Sequence, residues 1–226
     1  GEEGDFMQIT EYFPNFYIID DGHVREFLII GSTEALLIDT GFGNTDLKSK
    51  IQKITNLPVK VVLSHGDKDH SGGLKQFDEC YVHKNDLLLI DGNIKVKEIN
   101  EGDILEAGEY KFEVIEIPGH SYGSIAFLDR NKKLLLPGDS VQTGPIYMFG
   151  QHRNLDLYLQ SLEKLLTYQD DITTIIPSHH HYPLTKEYIN YCLEDGHLLK
   201  EKQIKGIKHQ TLPCYEYTGK HVSFYY

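Results

Sequence analysis

Basic residues are in short supply. Only 22 Lys and Arg stand against 34 Asp and Glu, giving a formal net charge of −12 at pH 7 across 226 residues. Nucleic acid, whose phosphates need a basic surface, is a poor partner for such a chain, and so is an anionic membrane. Cysteine is scarce too: Cys80, Cys192 and Cys214 are odd in number and have no C-x-x-C spacing. Free thiols in a reducing compartment are expected, rather than disulfides or a cysteine–metal site. No apolar run reaches membrane-spanning length, and no G-x-S-x-G elbow offers a serine nucleophile. The start, Gly1-Glu2-Glu3-Gly4-Asp5, is acidic and lacks a signal-peptide profile, so the cytoplasm is the expected compartment. Residue 1 is not Met, which leaves a removed leader open. No linker, low-complexity tract or repeat interrupts the chain. One domain over 1–226 is expected, a length that can bury a large core.

What is present is concentrated in residues 61–74, V-V-L-S-H-G-D-K-D-H-S-G-G-L. Four potential metal ligands, His65, Asp67, Asp69 and His70, fall within six residues, after an apolar β-branched run and before a Gly pair. The bland reading is a polar loop capping a strand. A two-metal cradle accounts for more, because further ligands recur downstream. Residues two apart at a strand end share a face, so His65, Asp67 and Asp69 can converge while His70 turns to a second ion.

The rhythm of the chain supplies a scaffold for such a cradle. Short strands are expected at 16–20, 26–30 and 35–39, a helix at 46–54 and a buried strand at 59–63. Helical turns follow at 73–77 and 87–90, with strands at 80–82, 96–99, 104–105 and 112–117. The second half reads as strands at 125–128 and 134–136, a helix at 155–166 capped by Asn154, and a buried strand at 172–176. A long helix at 185–202 carries Gly196 as an internal blemish, and the Tyr-rich tail, 215–226, reads as an edge strand or hairpin. Mixed strands with covering helices imply a sheet-on-sheet core faced by helices. His65, His120, Asp139 and His179 each follow a strand or apolar run, where loops can converge on a site held rigid by the core.

H-x-D-x-D-H followed by Gly, then Pro118-Gly119-His120-Ser121, Pro137-Gly138-Asp139 and Pro177-Ser178-His179, all after Asp39-Thr40-Gly41, resembles the metallo-β-lactamase superfamily of metallohydrolases. The resemblance implies an α/β chain folded as a four-layer αββα sandwich. It also implies a dinuclear site, with one ion on His65, Asp67 and His120 and a second on Asp69, His70 and His179, Asp139 bridging them. His180 and His181 compete with His179, which fits the family register best. Asp39 either accepts an N–H from a ligand histidine and fixes its tautomer, or simply makes an Asx turn. His23, His83, His197, His209 and His221 are expected on the surface.

One departure stands out: the commonest family signature has a second histidine where this chain has Asp67. Two divalent ions balanced by Asp67, Asp69, Asp139 and a hydroxide sum to zero charge, against +1 with histidine. That makes a weaker Lewis acid and shifts preference from zinc toward iron or manganese, with zinc still first. The resemblance further implies a bridging hydroxide as nucleophile, with Asp69 as the catalytic carboxylate orienting it. Tyr122 or Tyr147 could donate to an oxyanion, and His152 and Arg153 could meet an anionic substrate group. The expected function is therefore metal-dependent hydrolysis of an ester-like bond in a small molecule: thioester, lactone, phosphodiester or β-lactam. The acidic tail does not resemble the basic extension of the glutathione thioesterase branch. The alternative is a di-iron enzyme reducing oxygen or nitric oxide with a separate electron donor. A non-catalytic scaffold is disfavoured, because every metal position is filled.

Overall fold

A computed structural model describes residues 7–226; the acidic start read above lies outside the described residues. The chain forms two compact units, one ending at Ile115 and the other spanning Glu116–Tyr226.

The first unit is built on a seven-stranded sheet in sequential order. Strands β1 (Gln8–Phe13), β2 (Phe16–Asp20), β3 (Arg25–Ile30) and β4 (Ala35–Ile38) form an antiparallel meander. Helix α1 (Leu47–Gln52) then crosses over to β5 (Val59–Val62), which pairs parallel with β4. Asp46, expected as the first helical residue, is the N-cap instead, its carboxylate accepting from Ser49 N at 3.2 Å. The helix stops two residues short of expectation, where Ile54 N and Thr55 N both close onto Ile51 O in a terminal turn. Helix α2 (Lys68–Ser71) leads to β6 (Glu79–Val82) and β7 (Lys95–Glu98), both parallel additions. One face buries Ile19, Leu28 and Leu37 beneath Leu47 and Ile51 of α1. Each such side chain contributes roughly 1.5–3 kcal/mol when fully buried. The other face carries Phe16 and Phe27, whose rings lie 5.8 Å apart; Phe16 meets Tyr110 at 5.6 Å. Tyr110 belongs to the antiparallel hairpin of β8 (Ile104–Ala107) and β9 (Tyr110–Glu116).

Glu26, the second residue of β3, is 2% exposed. Burial, reinforced by Asp21 and Asp39 and opposed by His70, holds its carboxyl well above the usual carboxylate range. A folded pKa above the unfolded one means that a proton is taken up on folding. The stabilising state is complete below about pH 4.5 and is lost as pH rises. Glu26→Gln should therefore raise the melting temperature near neutral pH, with the gain shrinking toward about pH 4.5. Thermal melts across that range check this; a variant that melts lower at neutral pH would contradict it.

The second unit opens with the hairpin β10 (Ile125–Asp129) and β11 (Leu134–Leu136). After β12 (Ile146–Tyr147) comes α3 (Leu155–Leu166), with Asn154 capping Leu157 N at 2.9 Å as its sequence requires. Strand β13 (Thr174–Ile175) pairs parallel with β11, and α4 (Glu187–Lys200) packs on α3. At Gly196 the helix comes close to Leu159 of α3: an added Cβ would sit 2.6 Å from Leu159 Cδ2, so the leucine side chain would have to shift. The tail is a hairpin but not an edge. Strands β14 (Gly206–Lys208), β15 (Tyr215–Thr218) and β16 (Ser223–Tyr225) join β12 in the order β12-β16-β15-β14. Asp195 of α4, fully buried, anchors that hairpin by accepting from Lys220 N, His221 N and Val222 N at 2.7–3.0 Å.

Strands β1, β12 and β14 had no sequence counterpart. Among the described residues the cysteines are free, as expected, and also buried, with burial pushing the thiols of Cys80 and Cys192 up to about 11 and about 12. Among those residues no helix is long and apolar enough to cross a membrane.

Candidate metal centre

In the first unit, residues 63–67 leave β5 as a loop and α2 begins immediately after it. The chain thus curls sooner than an extended run through Asp69 would require, and the four candidate ligands fall into two pairs. His65 Nε2 lies 3.3 Å from Asp67 Oδ2, and His70 Nε2 lies 3.3 Å from Asp69 Oδ2. Asp67 occupies the N-cap of α2, where an Asp ordinarily caps backbone N–H groups, yet its side chain makes no cap hydrogen bond. The carboxylate is committed to His65 instead. Helix α2 is held by the Asp39-Thr40-Gly41 turn: Thr40 N and Thr40 Oγ1 both donate to His70 O at 2.8 Å, and Gly73 N donates to Thr40 Oγ1 at 3.0 Å. Gly66 N donates to the buried carboxylate of Asp86 at 2.8 Å, which fixes the loop between the first two candidate ligands. Asp39, fully buried with φ +70°, accepts from His70 Nδ1 at 2.8 Å. It is more than an Asx turn.

In the second unit α3 carries the loops. Asn154 N donates to Gly119 O at 2.8 Å and Ser161 Oγ to Pro118 O at 2.6 Å. Gly119, at φ +144°, lies so close to α3 that an added Cβ would collide with the backbone of Tyr158. Tyr158 in turn donates from its buried hydroxyl to Ser140 O at 2.8 Å, steadying the turn that bears Asp139. Ser178 N donates to Gly138 O at 3.0 Å, which seats the late loop on the same turn. A single atom, Asp139 Oδ2, consequently lies 3.2 Å from His120 Nε2 and 3.3 Å from His179 Nε2. His180 and His181 are exposed.

These spacings match a metal cage rather than ion pairs. A charged N–H···O bond to a carboxylate closes to about 2.7–2.9 Å, as His70 Nδ1 to Asp39 does. Two donors bound at about 2.0–2.1 Å on adjacent corners of a tetrahedral ion lie roughly 3.3 Å apart. Proton placement agrees. His120 Nδ1 is 2.9 Å from Tyr147 O, a pure acceptor, so Nδ1 bears the hydrogen. Its Nε2 is also 3.1 Å from Arg153 Nη1, a pure donor, so Nε2 presents a lone pair. His70, whose Nδ1–H is given to Asp39, likewise turns the Nε2 lone pair toward Asp69. At His70 that lone pair facing a carboxylate oxygen is repulsive without a cation between them, whereas at His120 an Arg153 N–H meets the lone pair. The donor set thus fits divalent metal, and it belongs to groups of His and Asp able to hold such ions.

The remaining candidates fall unevenly. Arg153 is not a solvated loop charge, since Nη1 also donates to His120 O at 2.7 Å. His152 is half-buried; Tyr122 and Tyr147 are each 40% exposed, with the Tyr147 ring 5.5 Å from Phe149. His83, expected on the surface, is 3% exposed. Its Nδ1 accepts from Asn85 N at 3.1 Å and caps the 3₁₀ turn at Lys84–Leu89. Sequence reasoning passed over Thr40, Ser64, Asp86 and the carbonyl of Tyr147. Their contacts are to backbone or across long separations; Ser64, adjacent to His65, and Thr40, inside Asp39-Thr40-Gly41, carried a local signal but were given no role.

A mixed α/β chain of several sheets, with imidazole and carboxylate gathered at its loops, is a metal-binding enzyme by class. The chain belongs to the metallo-β-lactamase superfamily, whose sequence model matches residues 20–85 and 83–179. It is 27% identical over 214 residues to the acyl-coenzyme A thioesterase MBLAC2 of Gallus gallus, covering 73% of this chain and 77% of that protein. It is 29% identical over 175 residues to the hydroxyacylglutathione hydrolase GloC of Haemophilus influenzae, covering 66% and 81%. Among solved structures, the DIM-1 metallo-β-lactamase aligns with a TM-score of 0.73 at 14% identity, covering 88% of this chain and all of that one. The fold is the metallo-β-lactamase fold, and the protein is a metal-dependent hydrolase of that superfamily.

Proposed function

We propose that residues 1–226 act as one catalytic domain that hydrolyses a thioester of a small molecule at a dinuclear site. One ion is assigned to His65, Asp67 and His120, the other to Asp69, His70 and His179, with Asp139 shared. The observation that carries this reading is Asp139 Oδ2 lying within 3.3 Å of two imidazole nitrogens, the arrangement a shared carboxylate needs. Zinc is the first assignment; Asp67, a hard oxygen donor, keeps iron or manganese in play. When bound, such ions supply Lewis acidity and lower a water's pKa to about 7.

The residues around that chemistry have separate tasks. Asp39 and the Tyr147 carbonyl hold the rings of His70 and His120. Asp69 accepts the proton of the attacking water and can return it to the departing thiolate. A groove of about 510 Å³ in the second unit is lined by Phe149, Arg153, Lys200 and Tyr226, and Arg153 joins it to His120. Lys200 is paired with Asp156 in the same lining, so an anionic carrier of an acyl substrate is assigned to Arg153. Tyr122 and Tyr147 are candidate donors to a developing oxyanion. Free, buried thiols support the cytoplasm as the compartment.

Thioesters come before lactones, phosphodiesters and β-lactams because relatives of this chain are named as acyl-coenzyme A thioesterases. A chromogenic panel tests the choice. Thioesters should be turned over at least ~10-fold better in kcat/KM than matched oxygen esters, phosphodiesters or a β-lactam, a difference of about 1.4 kcal/mol in barrier. Preference for another member of the panel would reassign the substrate. Asp67 also favours a second reading, a di-iron site reducing oxygen or nitric oxide, which the metal content separates from the first.

A further inference from the structure

Ser64, 2% exposed, sits between the end of β5 and the first ligand histidine and serves two groups at once. Its N–H donates to Asp39 Oδ1 at 2.7 Å, and its hydroxyl reaches Asp39 Oδ2 at 2.6 Å. The same Oγ lies 3.0 Å from His65 Nδ1. A hydroxyl has one hydrogen, and Ser64 donates it to the fully buried Asp39. The 2.6 Å bond therefore takes the Ser64 hydrogen, and Oγ is left to accept from His65 Nδ1–H. That leaves the lone pair of His65 on Nε2, the nitrogen facing Asp67. Asp39 Oδ2 meanwhile receives Nδ1–H of His70 directly.

We infer that Ser64 is a positioning residue through which one buried carboxylate oxygen, Asp39 Oδ2, sets the tautomer and ring orientation of two ligand imidazoles, His70 directly and His65 through the serine hydroxyl. The inference rests on the dinuclear reading above and adds an asymmetry to it. Loss of Ser64 releases only His65 and the ion assigned to it; loss of Asp39 releases both. Reversing the hydroxyl, so that Ser64 donates to His65, would put the hydrogen of His65 on Nε2 and close that nitrogen to metal. It would also strip Asp39 of its shortest bond.

The test has two parts. Long-range ¹H–¹⁵N spectra of the metal-free protein report the tautomer of each histidine, and His65 should carry its hydrogen on Nδ1. Zinc titration against a chromophoric chelator then compares the parent with Ser64→Ala, Ser64→Thr and Asp39→Asn. Ser64→Ala should weaken one of two zinc equivalents by about 10–100-fold, as is typical when the partner of a ligand histidine is lost, and leave the other unchanged. Ser64→Thr, which keeps the hydroxyl, should restore parental affinity, and Asp39→Asn should weaken both equivalents. Equal weakening of both zincs by Ser64→Ala, or none, would overturn the inference. So would a His65 hydrogen on Nε2 in the parent, a result that stands even if the alanine variant fails to fold. A parent that binds no zinc would sink the metal assignment instead, while the tautomer measurement would still decide the role of Ser64.

Discussion

Asp139→Ala should lose at least one tightly held metal equivalent and most hydrolytic activity. Two divalent ions held about 3.5–4 Å apart repel by about 4 kcal/mol even at the dielectric constant of water, and by more in a buried site. Asp139 is 6% exposed, and its Oδ2 lies 3.2–3.3 Å from two imidazole nitrogens. Removing it takes away both the shared ligand and the charge that offsets the repulsion. The family resemblance implied a bridging Asp139, and here a single oxygen of it faces both histidines. Metal analysis of the purified variant checks the prediction, and two tightly bound equivalents would count against a shared role.

Asp69→Asn should leave the fold largely intact and cut turnover by roughly 10²–10⁴-fold, the usual scale for loss of a positioned acid–base group. An amide keeps the size of the carboxylate and one oxygen donor but cannot accept a proton. Asp69 is half-buried in the first turn of α2, and that helix is tied down through Thr40 and the carbonyl of His70, so the exchange should not unfold it. Steady-state kinetics on the metal-reloaded variant should show the loss in kcat more than in KM. A variant with near-parental kcat would remove Asp69 from proton transfer, whatever its part in holding metal.

Much of this protein was legible because its ligands cluster next to punctuation that sequence reasoning reads well. The helix at 155–166 and its Asn154 cap were recovered residue for residue, since period, cap and length agreed. The grouping of His65 with Asp67, Asp69 with His70, and Asp139 with His120 and His179 was implied by the family resemblance, whereas spacing alone put His65, Asp67 and Asp69 on one face; within each unit His65 lies beside Asp67, His70 beside Asp69, and Asp139 beside His120 and His179. Where expectation failed, the cause was local. Helix α2 is only four residues long, too short for periodicity to register, and it turned an expected extended run into two ligand pairs. Strands β12 and β14, of two and three residues, draw their order from neighbours rather than from their own pattern. His83 is buried because it caps a turn, a role that pattern does not reveal. Arg153 could be placed near the site by motif, but its bond to the His120 carbonyl depends on how α3 meets the loop holding Gly119.

Metal removal and reloading test the central claim most directly. The purified protein would be assayed for metal content and thioester hydrolysis, stripped with a chelator, assayed again, and titrated back with zinc. Activity should fall to background in the stripped protein and return as about two equivalents are restored. Stripped protein that hydrolyses the same thioester as fast as the loaded form would contradict metal-dependent catalysis outright. Iron in the purified protein, with consumption of oxygen or nitric oxide in the presence of an electron donor, would replace hydrolysis with the redox reading.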